Sequence, residues 1–155
     1  MRITSPAFVD GGRIPTKYVM PRAGGENLSP PLSWEGEPEG TKSFAISCVD
    51  PHPIARNWVH WLVINIPASV HRLPEGASGR SMPASARELK NSFGFVGYGG
   101  PQPPPGTGDH PYVFTVYALS VEVLDLPEDI SLEEFLGAIE PYILDKVSLT
   151  GYYSR

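Results

Sequence analysis

Apolar positions fall into a few short runs, separated by polar stretches rich in proline and glycine. Residues 43–50, SFAISCVD, alternate Phe44, Ile46 and Cys48 against Ala45, Ser47 and Val49. Both sets are apolar or small, which predicts a strand covered on both faces. Residues 58–66 predict a second strand, with Trp58, His60, Leu62 and Ile64 on one side and Val59, Trp61 and Val63 on the other. Residues 112–119, YVFTVYAL, are aromatic and β-branched and predict a third buried strand. Shorter strands are expected over 2–9 and 14–19, either side of a Gly11-Gly12 turn, and over 147–154. One helix is expected. Ser131 and Glu134 form a capping-box pattern, and Leu132, Phe135, Leu136, Ile139 and Ile143 recur at helical spacing, with Pro141 kinking or splitting the helix.

The connections carry their own information. Residues 26–43 read as a long surface connection anchored inward by Leu32 and Trp34, and residues 67–90 as loop with a brief SARELK. Between Gly94 and Gly108 stand six glycines and four prolines. Glycine permits positive φ, whereas proline fixes φ and removes a donor, so this backbone is shaped without being helix or ladder. It ends at His110 and Tyr112, two residues apart at the start of a strand, a spacing that points both side chains the same way.

Composition narrows the class. With 155 residues, and neither repeat nor boundary, the chain reads as one domain, 1–155. Its 18 prolines lie between apolar runs, as in the turns and edges of a mainly β protein. A net charge of −5 argues against duplex nucleic acid or an anionic membrane as the main partner. Cys48 is the only cysteine, no secretory h-region opens the chain, and no run is long enough to span a membrane, so a cytoplasmic protein is expected.

Asp50, His52, His60, His110 and Tyr112 are the polar candidates. No pair has a metal-ligand spacing such as HExxH, so no metal is expected. Ser92 and Cys48 stand in no known nucleophile context, so no catalytic residue is assigned. The glycine-rich loop lacks Gly-Lys-Ser/Thr and leads into a strand, which excludes the P-loop and the dinucleotide fingerprint. Two readings stay open. One is a small anion pocket where histidines, a tyrosine hydroxyl and one or two loop N–H groups converge. In the other, each histidine merely satisfies a local backbone group.

The blocks NLSPPLSW, GTKSFAI, DPHP, WVHWLVINIP, NSFGFVGYGGPQPPPGTGDH and YVFTVYAL, in that order, resemble the phosphatidylethanolamine-binding protein family, in its bacterial and archaeal, Raf-kinase-inhibitor-like branch. The resemblance runs from about Ile3 to the C-terminal LTGYYSR. It implies an antiparallel β-sandwich-like fold with a peripheral C-terminal helix, and a pocket for phosphate groups and other small anions without metal or cofactor. The family's site residues fall on Asp50, His60, His110 and Tyr112, and its loop N–H donor on Gln102, beside Pro103 and Pro104. His52, Pro53 and Trp58 would form the rim. Two positions depart from the pattern: the usual Asp-Pro-Asp-x-Pro becomes Asp50-Pro51-His52-Pro53, and the usual His-Arg-Tyr becomes His110-Pro111-Tyr112.

Three functions follow from the resemblance and the residues together. The first is a non-catalytic module binding a small phosphate-containing or carboxylate ligand. The second is an inhibitor of a protein kinase or serine protease working through a surface loop. The third is an enzyme acting on a small phosphate ester or ether. The first is favoured because no nucleophile is evident, and a homodimer is compatible with it.

Overall fold

A computed structural model describes residues 1–155. Two antiparallel sheets face each other. The smaller has the order β1–β2–β5, built from Arg2–Thr4, Leu32–Glu35 and Arg72–Leu73. The larger has the order β6–β4–β3–β7–β8. Its strands are β3, Ser43–Asp50; β4, Trp58–Pro67; β6, Arg87–Glu88; β7, His110–Leu119; and β8, Ile143–Tyr153. A single α-helix, α1 (Leu132–Ile139), covers part of the large sheet's outer face. The mainly antiparallel β architecture with one C-terminal helix is the expected one.

Each face of the large sheet has its own apolar cluster. Phe44, Ile46, Cys48, Phe114, Val116 and Ala118 pack toward the small sheet's Ile3, Leu32, Trp34 and Leu73. Ala45, Tyr117 and Leu119 pack with Phe135 and Ile139 of α1. An eight-residue helix is too short to persist alone. Burying Phe135 and Ile139, at about 1.5–3 kcal/mol each, and the reciprocal cap between Ser131 and Glu134 hold it in place.

Strand β4 departs from the simple alternation. Cys48 faces Trp61 while Val49 faces Val59, so His60 is an extra residue opposite none. Phe44 faces Ile66 while Ile46 faces Val63, so Ile64 and Asn65 together oppose Ala45. These two bulges shift the period-two phase and then restore it. Val59, Leu62 and Ile64 therefore share the α1 face, while Trp61, Val63 and Ile66 face the small sheet. The expected grouping of His60 with Leu62 and Ile64 is corrected accordingly. At the second bulge Asn65 adopts φ 62°, a left-handed conformation that asparagine tolerates, and its carboxamide bonds both N–H and C=O of Leu124.

Other boundaries also move. The first strand stops at Thr4. Residues 14–19 are no strand: beyond one bridge from Arg13 to Tyr152 the chain makes a 3-10 turn, Thr16–Tyr18, behind Pro15. The connection over 26–43 contains β2, with Leu32 and Trp34 facing inward as expected. Pro141 ends the helix through a 3-10 turn, Glu140–Tyr142, so Ile143 begins β8 instead of extending α1. No helix is long and apolar enough to cross a membrane.

Candidate functional site

The ends of three adjacent strands meet the proline loop at one rim of the inner face. Asp50 closes β3, Trp58 and His60 open β4, and His110 and Tyr112 open β7. Together with Gln102, Pro103, Pro104, Phe93, Ile54 and Ala55 they line one cavity of about 260 Å³. Asp50, His60, Gln102, Pro103, His110 and Tyr112 are thus brought to one place. Of the three expected rim residues only Trp58 lines the cavity. Pro53 lies outside it, where Ile54 and Ala55 stand instead, and His52 stacks on His110 with ring centroids 3.8 Å apart and planes 7° from parallel.

The bulge at His60 explains how an imidazole fits in an apolar strand. The His60 carbonyl accepts from Gly99 N–H at 2.9 Å, and its ring Nδ1 lies 2.6 Å from the Gly99 carbonyl. A carbonyl can only accept, so Nδ1 carries the proton and donates. Burial pushes the His60 pKa down to about 4, against smaller opposing effects of the Gly99 carbonyl and the Asp50 charge. At neutral pH the ring is uncharged. Its Nε2 has no protein partner and is a lone-pair acceptor. The expectation of histidine donors converging on an anion is therefore corrected at His60.

His110 is fully engaged. Its Nδ1 meets Asp50 Oδ2 at 2.7 Å, and its Nε2 meets Thr107 Oγ1 at 2.8 Å. The Thr107 hydroxyl donates its one proton to the Pro104 carbonyl at 2.7 Å, so its oxygen accepts from the imidazole. Neither ring nitrogen is left for a ligand. The other Asp50 oxygen accepts from His52 N–H at 2.9 Å. Tyr112 is different: its ring is buried edge-on to His60, but its hydroxyl has no protein partner. Burial first, then the Asp50 charge, raise its pKa, so it stays a neutral O–H. Gln102 N–H and its carboxamide also lack protein partners.

The loop wall is held from several sides. Gly99 packs against Phe93, where an added Cβ would lie 2.5 Å from the ring, and at Gly100 one would lie 2.2 Å from the Tyr18 carbonyl oxygen. Asn27 brackets the same stretch, donating to the Tyr98 carbonyl and accepting from Gly100 N–H. Ser92 Oγ accepts from Val59 N–H, which brings Phe93 into the cavity. Arg155 Nε donates to the Pro103 carbonyl at 2.7 Å, restoring a guanidinium near Tyr112 where the sequence pattern lacks one. The roles of Thr107, Phe93 and Arg155 were not read from sequence, though Thr107 lies only three residues before His110.

Nucleophiles are poorly placed. Cys48 is core, its thiol pushed well up by burial and by Asp50. Ser92 is committed to the backbone. Nowhere do three or more His, Cys, Asp or Glu side chains gather as a metal-holding group.

Comparison with known proteins bears on this geometry. The chain is 42% identical to a UPF0098 protein of Methanothermobacter thermautotrophicus, over 100% of this chain and 99% of that protein. It is 38% identical to the UPF0098 protein YbhB of Escherichia coli, over 99% and 100% of the two. A Mycobacterium tuberculosis relative named as a lipoprotein, LppC, is 39% identical over 82% of this chain and 59% of its own length. The crystal structure of E. coli YbcL, described as a new member of the mammalian PEBP family, superposes with TM-score 0.93 at 36% identity, covering 99% of this chain and 98% of that one. The family model described as phosphatidylethanolamine-binding protein matches residues 4–154. The chain belongs to the phosphatidylethanolamine-binding protein family.

Proposed function

We propose that the protein is a non-catalytic binding module whose cavity holds a small oxyanion, phosphate or a phosphorylated head group. One observation carries the reading: Tyr112 and Gln102 line the same small cavity, and neither the tyrosine hydroxyl nor the Gln102 N–H has a protein partner. Donors without a protein partner at the wall of a cavity are open to an acceptor that enters it. The absence of a lysine or arginine from the lining argues for modest affinity. Residues 1–155 act as one unit in this reading. The lone, free Cys48 suits a reducing cytoplasm.

The non-catalytic part rests on the hydrogen bonding. His110 cannot act as base toward Thr107, because that hydroxyl already accepts from it. A second reading, inhibition of a kinase or serine protease, is favoured by one feature: Ile54, Trp58, Phe95 and Val96 are exposed on and beside the loops around the mouth.

Inorganic phosphate titrated against ¹⁵N-labelled protein tests the main reading. Shifts should concentrate at Gln102 and its neighbours and spare α1. Shifts scattered elsewhere, or none, would overturn it. A panel of phosphomonoesters, carboxyl esters and casein should show no turnover; activity that vanishes in His60→Ala would make the protein an enzyme.

A further inference from the structure

Taking the oxyanion site just proposed as given, we infer that it selects an anion that still carries a proton, with the ligand O–H donating to His60 Nε2 and the bare oxygens accepting from Tyr112 and Gln102. The protein leaves a small set of polar atoms open around the cavity. The donors are the Tyr112 hydroxyl, the Gln102 N–H and its carboxamide. The acceptors are His60 Nε2, locked as a lone pair because Nδ1 is committed to the Gly99 carbonyl, and the remaining lone pairs of Asp50. A fully deprotonated oxyanion would set one of its oxygens against His60 Nε2 or the Asp50 carboxylate, acceptor against acceptor. A phosphomonoester monoanion has one O–H and two bare oxygens and matches both halves. The low proton affinity of the buried His60 ring agrees, since the imidazole does not take up a proton to accommodate a dianion.

The groups facing this position come from every wall. Asp50 arrives from β3, His60 from β4, and His110 and Tyr112 from β7; the loop contributes uncharged Phe93, Gln102, Pro103 and Pro104. His52 lies behind His110, and Arg155 is held outside at the Pro103 carbonyl. The test therefore compares methyl phosphate with anions that carry no O–H.

Methyl phosphate loses its second proton near pH 6, as phosphomonoesters do, while dimethyl phosphate keeps one negative charge and has no proton to lose. Calorimetry with both, and with sulfate, is run at several pH values from 5.5 to 8. At pH 5.5 methyl phosphate should bind at least roughly tenfold tighter than either of the others, the difference of a mismatched polar contact. Between pH 6 and 8 its affinity should fall about fifty-fold, tracking the monoanion fraction, with dimethyl phosphate nearly flat. His60→Gln, whose amide can turn an N–H inward, should narrow the preference for methyl phosphate over sulfate. Sulfate and dimethyl phosphate binding as tightly, or methyl phosphate affinity flat or rising with pH, would overturn the proton requirement while leaving an anion site. No binding of any of the three at any pH would overturn the anion site itself.

Discussion

The rings of His52 and His110 lie face to face, 3.8 Å between centroids, so a residue from the β3–β4 turn backs the imidazole that pairs with Asp50. His52 Nδ1 also accepts from Ile54 N–H at 3.1 Å, which folds the turn that presents Ile54 and Ala55 to the cavity. His52→Asp can keep the turn contact but loses the stack; His52→Ala loses both. The alanine variant should cost about 1 kcal/mol of stability and the aspartate variant less. Urea midpoints measure the difference, and equal midpoints for all three proteins would show that neither contact matters.

Tyr112→Phe should weaken phosphate binding by about 0.5–1.5 kcal/mol and leave the melting temperature almost unchanged. The ring stays packed, and the hydroxyl it loses has no protein partner. Calorimetry paired with thermal denaturation checks it. A destabilised variant with unaltered affinity would return Tyr112 to the core.

His60 should make folding acid-sensitive. Its folded pKa, about 4, lies below the ordinary value of 6.5, so between those values the unfolded chain takes up a proton that the native ring refuses. Stability should therefore drop as pH falls from 6.5 toward 4, by about 3 kcal/mol from this group at most. Urea unfolding at pH 7 and 4.5, in phosphate-free buffer, should show a smaller acid loss for His60→Gln than for the parent protein. Parallel losses would place the sensitivity elsewhere.

Ser131 Oγ accepts from Glu134 N–H at 3.1 Å, and Glu134 returns a bond to Ser131 N–H at 3.2 Å. Ser131→Ala should lower stability by roughly 1 kcal/mol and leave phosphate affinity intact, since α1 is remote from the cavity lining. A melting temperature equal to the parent's would deny the cap any energetic role.

What the sequence revealed follows from how local each feature is. His110 and Tyr112 were legible together because a loop that cannot pair hands over to a strand that must, and period two does the rest. The Ser131 cap was legible because its partner is three residues away. The phase of β4 was not, because a bulge is decided by the strand beside it. Only Asn65, polar and tolerant of positive φ within an apolar run, signalled one. Residues 14–19 are no strand because Ile14, Tyr18 and Val19 enter the inner core from a 3-10 turn, whose Tyr18 carbonyl accepts from Tyr98 O–H at 2.7 Å. Arg155 and Phe93 reach the site only through tertiary contacts, which no spacing encodes.

Strand β4 contains a simpler strand. Struck from the sequence, His60 and Asn65 leave Trp58, Val59, Trp61, Leu62, Val63, Ile64 and Ile66, whose sides then alternate without a break. The strand is thus a complete apolar element with two residues spliced in. One spliced residue gives its side chain to the cavity, the other to the Leu124 backbone. Polar equipment housed as insertion displaces none of the strand's apolar residues, so the cavity-facing imidazole stands outside the alternation that builds the core.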